Sequence, residues 1–148
     1  MKSKKIVWVD GSGYSGISSA YCVISNNKKY LKVFEEKIEA PNIEYLAILA
    51  GLEISDKNSV IFSDCLNLVK ELNLLRKPSN LKMFNLCRKL MLEKNIEVVW
   101  TSRDINKAGI YLQDRLKKLN RNAIEVMNPK PNPELKKEKK KKHFSKKW

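Results

Sequence analysis

The chain has 148 residues, of which 43% are hydrophobic, and this size and composition suit a single globular domain with one core. Its formal net charge is +14 at pH 7. The apolar run at 6–9 is too short for an export signal, and no other stretch could span a bilayer. These features exclude a membrane protein and predict a soluble, cytoplasmic chain. We also expect a monomer, although no feature of the sequence fixes the oligomeric state.

The positive charge extends into a lysine-rich C-terminal segment. Residues 129–148 contain nine lysines against Glu134 and Glu138, which gives this segment a net charge of +7. Lysines placed against phosphates release condensed counterions, so this tail is expected to bind nucleic-acid backbones, although solubility alone would also explain the charge. Because its composition cannot bury a core, we predict a folded domain over 1–128 and a disordered tail over 129–148.

The first half of the chain is typical of three strands followed by a helix. Residues 6–9 are apolar and β-branched or aromatic, as in a buried strand, and turn residues follow from Asp10. Two strand-like runs, 17–25 and 30–38, are joined by a polar turn and predict an antiparallel hairpin. After Pro41 the apolar residues recur at helical spacing, which predicts the first helix.

The second half alternates short strands with amphipathic helices. The predicted elements are a strand at 60–62, a helix with apolar positions 66, 69 and either 72 or 74, a helix at 81–92, a strand at 96–100 and a helix over 108–119. The complete order is βββαβααβα. It predicts an α/β fold with a mixed five-stranded sheet and helices on both faces, because the later strands need helical crossovers while the first three form a hairpin series.

Three acids lie where this sheet is expected to bind a ligand. Asp10 and Asp64 follow predicted strands, and Glu44 lies in the first turn of the intervening helix. Ligands gather beyond the carboxyl ends of parallel strands, so we expect these acids to converge. Converging carboxylates repel one another unless cations hold them, and oxygen ligands suit Mg²⁺. Two such ions can hydrolyse a phosphodiester, although a turn or a helix cap would explain each acid taken alone.

Four segments, in this order, resemble the type 1 ribonuclease H family: VWVDGSG at 7–13, NIEYLAILAGLE at 42–53, VIFSDCLNLVKEL at 60–72 and WTSRDINKAG at 100–109. The resemblance implies a ribonuclease H-like domain that cuts the RNA strand of an RNA–DNA hybrid with two Mg²⁺ or Mn²⁺ ions. It also implies that Asp10, Glu44 and Asp64 are the first three metal-binding, catalytic acids.

The resemblance further implies residues that bind the substrate. Gly11 and Ser12 would bring backbone amides and a hydroxyl close to the hybrid, whose 2′-hydroxyls distinguish RNA from DNA; a tight turn is the alternative role for this pair. Asn106 matches the asparagine of the family's last motif, and Arg103 stands where a basic residue often faces phosphate. Asn42 is the candidate for the ribose-contacting asparagine, and a helix cap would explain it equally well.

The last motif departs from the family in two ways. The mobile histidine between the fifth strand and the last helix is absent, since the only histidine is His143 in the tail. The family pattern N-x-x-A-D ends in a fourth acid, whereas this chain has Gly109 in place of that acid. Asp114 is the first candidate to replace it as catalytic and metal-binding acid, although five residues place it about 140° round the helix. Asp104, at the predicted helix cap, is the second candidate.

Two other functions stay open at this point. The same fold could serve a DNA nuclease such as a junction resolvase. The missing fourth acid and the lysine-rich tail could also indicate a nucleic-acid-binding module that has lost catalysis, although the three remaining acids favour an enzyme.

Overall fold

The computed structural model describes residues 4–13 and 18–127, with side chains as far as residue 119. The observed order of elements is the predicted βββαβααβα. The elements are β1 (Ile6–Ser12), β2 (Ser19–Ser25), β3 (Lys28–Phe34), α1 (Ala40–Ile54), β4 (Val60–Ser63), α2 (Leu66–Leu72), α3 (Leu81–Lys94), β5 (Glu97–Trp100) and α4 (Lys107–Met127). A short 3-10 turn, Arg103–Ile105, precedes α4.

The strands form one mixed sheet in the order β3-β2-β1-β4-β5. Strands β1, β2 and β3 pair antiparallel, whereas β4 pairs parallel with both β1 and β5. The β2–β3 hairpin turns at Asn26 and Asn27, whose φ angles of 51° and 67° suit the turn that matches strand twist. The predicted mixed five-stranded α/β sheet is confirmed.

One face of the sheet is covered by α1. Val7, Val9 and Ile61 are buried on this face. Opposite them α1 carries Gly51, where a Cβ atom would lie only 2.6 Å from the Val9 Cγ1 atom. Since the valine side chain is stiff at χ1, the glycine is what permits so close an approach. Close packing of α1 on β1 brings the first turns of the helix towards the end of that strand.

The other face is contacted by the beginning of α4. Trp8 alternates with Val7 and Val9 and therefore points to this second face, where its ring stacks on Phe62 at 5.0 Å between centroids. The Lys107 ammonium lies 5.9 Å from the centre of the Trp8 ring. Helical residues thus contact both faces of the sheet, as predicted.

The observed element ends resolve one open choice and correct two boundaries. Helix α4 runs to Met127 rather than to residue 119. Helix α2 ends at Leu72, which is fully buried, whereas Leu74 has a φ of 64° and is 67% exposed. The helix ends in a Schellman motif, in which the backbone N–H groups of Leu74 and Leu75 donate to the carbonyl oxygens of Glu71 and Lys70. The Asn73 side-chain amide also donates to the carbonyl oxygens of Val69 and, in β5, Val98. Strand β3 ends at residue 34, because its pairing with β2 ends there, rather than at the predicted residue 38.

The chain divides into two units between Arg115 and Leu116. All strands and helices α1 to α3 belong to the first unit. The predicted tail 129–148 and His143 lie outside the described residues, so the domain boundary at residue 128 stays a prediction. Over the described ranges, no helix combines the length and apolar character needed to cross a membrane.

Candidate metal centre

Asp10 and Asp64 are brought side by side by the parallel pairing of β1 with β4. The last residues paired between these strands are Trp8 and Phe62, and each acid lies two residues beyond one of them. Because side chains alternate along a strand and neighbouring strands are about 4.8 Å apart, both carboxyl groups point to the same side at the same edge. The register therefore places two acids together without any loop rearrangement.

Glu44 completes the cluster from α1. Its Oε1 atom accepts a hydrogen bond from the backbone N–H of Gly11 in β1. A Cβ atom at Gly11 would lie 2.8 Å from both that carboxylate oxygen and the Ile43 carbonyl oxygen, so only glycine fits here. Carboxylate oxygens of Asp10, Glu44 and Asp64 all lie within 4.8 Å of one another.

This clustering makes two of the carboxyl groups hard to ionise. Burial, followed by the neighbouring Asp64 charge, raises the pKa of Asp10 to about 7, while the Arg103 guanidinium acts in the opposite direction. Burial and the Asp10 charge raise the pKa of Glu44 to about 8. Cations binding between such carboxylates would remove the repulsion, and the donors are all hard oxygens. The residues present therefore fit a divalent metal ion.

Asn106 holds the cluster from the loop before α4. Its side chain is fully buried, and its Nδ2 atom donates to Asp64 Oδ2 and to the Val9 carbonyl oxygen, both at 3.0 Å. Its Oδ1 atom accepts from the backbone N–H of Ala108 at 3.1 Å. Asn106 therefore positions Asp64 and begins α4, and the structure places it beneath the cluster rather than on an open surface.

Comparison with known proteins gives similarity in structure but not in sequence. No protein-family model and no curated protein matches the chain. The N-terminal ribonuclease H domain of Rv2228c from Mycobacterium tuberculosis aligns with a TM-score of 0.66 at 16% identity, covering 82% of this chain and 99% of that one. The chain has the ribonuclease H fold.

Two further ribonucleases H align similarly. Ribonuclease H1 from the halophilic archaeon Halobacterium salinarum NRC-1 gives a TM-score of 0.63 at 14% identity, over 78% of this chain and 99% of that one. LC11-RNase H1, solved with an RNA/DNA hybrid, gives 0.61 at 15% identity, over 70% of this chain and 89% of that one. At identities this low, the similarity shows a shared fold and does not show a shared activity.

Within the ribonuclease H fold of this chain, Gly109 lies against the acids. A Cβ atom there would be 3.2 Å from Asp10 Oδ2 and 3.5 Å from Asp64 Oδ2. In the pattern N-x-x-A-D, the acid stands four residues after the asparagine, which from Asn106 falls on Ile110, a side chain that is 58% exposed. If the alanine of the pattern is aligned with Ala108 instead, the acid falls on Gly109. The geometry supports this second alignment, because Gly109 lies beside Asp10 and Asp64. The position that would carry the fourth acid therefore has no side chain.

The acids lie in an open groove of about 740 Å³ within the first unit. Seven residues singled out from the sequence line it: Asp10, Gly11, Ser12, Glu44, Asp64, Arg103 and Gly109. Asn42, Asp104 and Asp114 are exposed and are not among the lining residues. Asn42 Oδ1 accepts from the Asn80 side chain at 3.2 Å, and α1 begins after Glu39, so Asn42 is not its cap.

Sequence reasoning missed other residues of this groove. They come from α2, the α2–α3 connection and α4, and include Asn67, Glu71, Arg76, Ser79 and Gln113. Only Gln113 had a detectable signal, because it lies four residues after Gly109 and so on the same face of a helix. Arg76 donates to Asn67 Oδ1 at 3.0 Å, which places a second guanidinium on the groove besides that of Arg103.

Proposed function

We propose that this chain is a metal-dependent endonuclease that hydrolyses the RNA strand of RNA–DNA hybrids. The observation that carries this proposal is the convergence of Asp10, Glu44 and Asp64 at the carboxyl ends of β1 and β4 in a ribonuclease H fold. The hybrid bound to LC11-RNase H1 supports the same substrate class.

The cofactor we propose is Mg²⁺ or Mn²⁺, two ions per site, held by Asp10, Glu44 and Asp64. Three carboxylates within 4.8 Å of one another supply hard oxygen donors and leave coordination positions for water and phosphate. Divalent ions held by these three acids would supply the acidity that activates a water and would stabilise the leaving oxygen of a phosphodiester.

The chain's own residues orient the reaction. The Gly11 N–H fixes Glu44, and the Asn106 amide fixes Asp64, so both carboxylates are held before substrate arrives. The Arg103 side chain lies on the groove close enough to lower the pKa of Asp10, and its guanidinium can bind a substrate phosphate. The Ser12 hydroxyl, at the edge of the groove, can meet a ribose 2′-hydroxyl.

The proposal is tested by comparing end-labelled substrates with the purified chain in Mg²⁺ and in Mn²⁺. The substrates are an RNA–DNA hybrid, duplex RNA, duplex DNA and a four-way DNA junction. We expect cleavage of the RNA strand of the hybrid, at least about 100-fold faster than any other substrate. Asp64→Asn should lower this rate by about a thousandfold. Asp56→Asn, which neutralises an exposed acid outside the groove, should not change it.

A second candidate function is a nucleic-acid-binding module without catalysis, and the position of Gly109 favours it. The side-chain-free position next to Asp10 and Asp64 means that the described cluster has three acids where the family pattern has four. Tight, metal-independent binding of the hybrid with no cleavage in either metal would replace the nuclease proposal with this function. Preferential cleavage of the junction would replace it with a DNA nuclease.

We also propose that the segment 129–148 binds nucleic-acid backbones without sequence preference, because its nine lysines exceed its two acids. The logarithm of hybrid affinity should fall steeply with the logarithm of salt concentration. Deletion of 129–148 should reduce that slope by about 0.9 for each phosphate that the tail neutralises. Fluorescence anisotropy of a labelled hybrid between about 50 and 200 mM salt measures this, and equal slopes for both proteins would disprove the role of the tail.

A further inference from the structure

At Gly109 the acid cluster meets a position that has no side chain to offer a metal ion. The groove is bordered there by α4, since a Cβ atom at this position would nearly touch Asp10 and Asp64. A side chain on the same face of α4, within reach of the Gly109 turn, is therefore well placed to replace the missing acid.

Gln113 meets this requirement. Four residues along a helix correspond to a rotation of about 40° and a rise of about 6 Å, so Gln113 lies one turn beyond Gly109 on nearly the same face. Helical side chains lean towards the N-terminus of the helix, which directs Gln113 back over the Gly109 turn. Gln113 lines the groove together with Asp10, Glu44 and Asp64.

Asp114 is placed less favourably. Both side chains are exposed, but Asp114 lies a further 100° or so round the helix and is not among the residues that line the groove. Its position on α4 therefore directs it away from the face that borders the acids.

We propose that the side-chain amide of Gln113 is the neutral fourth protein ligand of the divalent-cation site. This inference rests on the proposed function, because it assumes that Asp10, Glu44 and Asp64 bind the cation. Side-chain amide oxygens are accepted by hard divalent cations, and a neutral ligand adds no charge to a cluster of mutually repelling carboxylates. A neutral ligand also attracts a cation less than a carboxylate does, so the site trades affinity for lower repulsion.

The test is a titration of the full chain with Mn²⁺. Binding is measured by isothermal titration calorimetry and by the electron paramagnetic resonance signal of free Mn²⁺. Gln113→Leu keeps the bulk of the side chain and removes the amide, and we expect the Kd of one Mn²⁺ ion to rise about tenfold. Asp114→Asn should change it less than about twofold. Gly109→Asp should lower the Kd for Mn²⁺. In the Gly109→Asp background, Gln113→Leu should leave the Kd unchanged, because the new carboxylate replaces the amide as ligand.

The outcomes separate this inference from the proposed function. If the unaltered chain binds Mn²⁺ and cleaves the hybrid, but Gln113→Leu binds Mn²⁺ equally well, Gln113 is not a ligand and the nuclease proposal stands. If Asp114→Asn instead weakens binding, Asp114 is the fourth ligand. If the unaltered chain binds no Mn²⁺, both proposals fail. Gln113→Glu, which restores an oxygen donor with a charge, should bind at least as tightly as the unaltered chain and guards against a folding defect in the leucine variant.

Discussion

Asp10→Asn is expected to lower the proposed hydrolytic activity by about a thousandfold and, in the absence of metal ions, to make the fold more stable. The activity should fall because the variant loses a central carboxylate of the proposed cation site. Stability should rise because the Asp10 carboxyl is 9% exposed and lies beside two other acids, so its ionisation is opposed in the folded state. Function and stability therefore oppose each other at this residue.

The pH dependence follows from the direction of the pKa shifts. Burial and neighbouring acids raise the pKa values of Asp10 and Glu44 to about 7 and about 8 in the folded state. Between about pH 4 and 8 the folded state then binds more protons than the unfolded state, so the free energy of unfolding falls as pH rises through this window. Below about pH 4 both states are protonated and the penalty is absent.

Urea denaturation in EDTA at about pH 5 and pH 8, followed by circular dichroism, measures this effect. At the higher pH we expect Asp10→Asn to exceed the unaltered chain by about 2 to 4 kcal/mol, and at the lower pH by less. Mn²⁺ should stabilise the unaltered chain and not the variant, since a ligand stabilises only the state that binds it. Glu35→Gln removes one exposed charge as a control. A variant that is less stable than the unaltered chain at the higher pH would contradict the assigned repulsion.

The fold and the three acids could be predicted because each depends on local patterns that combine in one way. Apolar strands and helical spacing set the order of elements, and parallel crossovers bring the ends of β1 and β4 to one edge. Once β1 and β4 are neighbours, an acid two residues beyond the last pair on each strand must lie at the same place. Glu44 reaches the same place because Gly11 and Gly51 allow α1 to approach β1 closely.

The rest of the groove could not be predicted because it depends on where loops and helix ends lie. Asn42 is an asparagine near a helix start, yet α1 begins earlier and its side chain pairs with Asn80 instead. Arg76 follows the end of α2, where the Asn73 side chain donates to Val69 and, across 25 residues, to Val98 in β5. Such hydrogen bonds form only when the elements are packed together.

Glu71→Ala is expected to cost about 3 to 5 kcal/mol of unfolding free energy, because it deletes a buried acceptor that joins three segments. Glu71 is 2% exposed, and its Oε1 atom accepts from the Tyr45 hydroxyl at 2.6 Å. The same oxygen accepts from the Ser79 backbone N–H at 2.9 Å and the Ser79 hydroxyl at 3.1 Å. It thereby ties α2 to α1 and to the connection before α3.

Two milder variants separate the contributions of the Tyr45 hydrogen bond and of the Glu71 charge to this loss of unfolding free energy. Tyr45→Phe removes one donor and should cost about 1 to 2 kcal/mol, while Glu71→Gln keeps an acceptor oxygen without its charge and should cost about 1 kcal/mol. Glu53→Ala, an exposed acid on α1, should stay within about 0.5 kcal/mol of the unaltered chain in the same urea denaturation. A small effect of Glu71→Ala would mean that water replaces the carboxylate.

Glu71 also tests whether the groove and the fold can be separated. Glu71 lines the groove, and its partner Tyr45 directly follows Glu44, so loss of the carboxylate would loosen α1 beside this proposed metal-binding acid. Glu71→Gln keeps the acceptor geometry, and we expect it to bind Mn²⁺ with unchanged affinity while its stability falls. If Glu71→Gln instead binds Mn²⁺ more weakly than the unaltered chain, the charge of Glu71 acts on the cation directly. Glu71 would then be a fourth carboxylate of the proposed site.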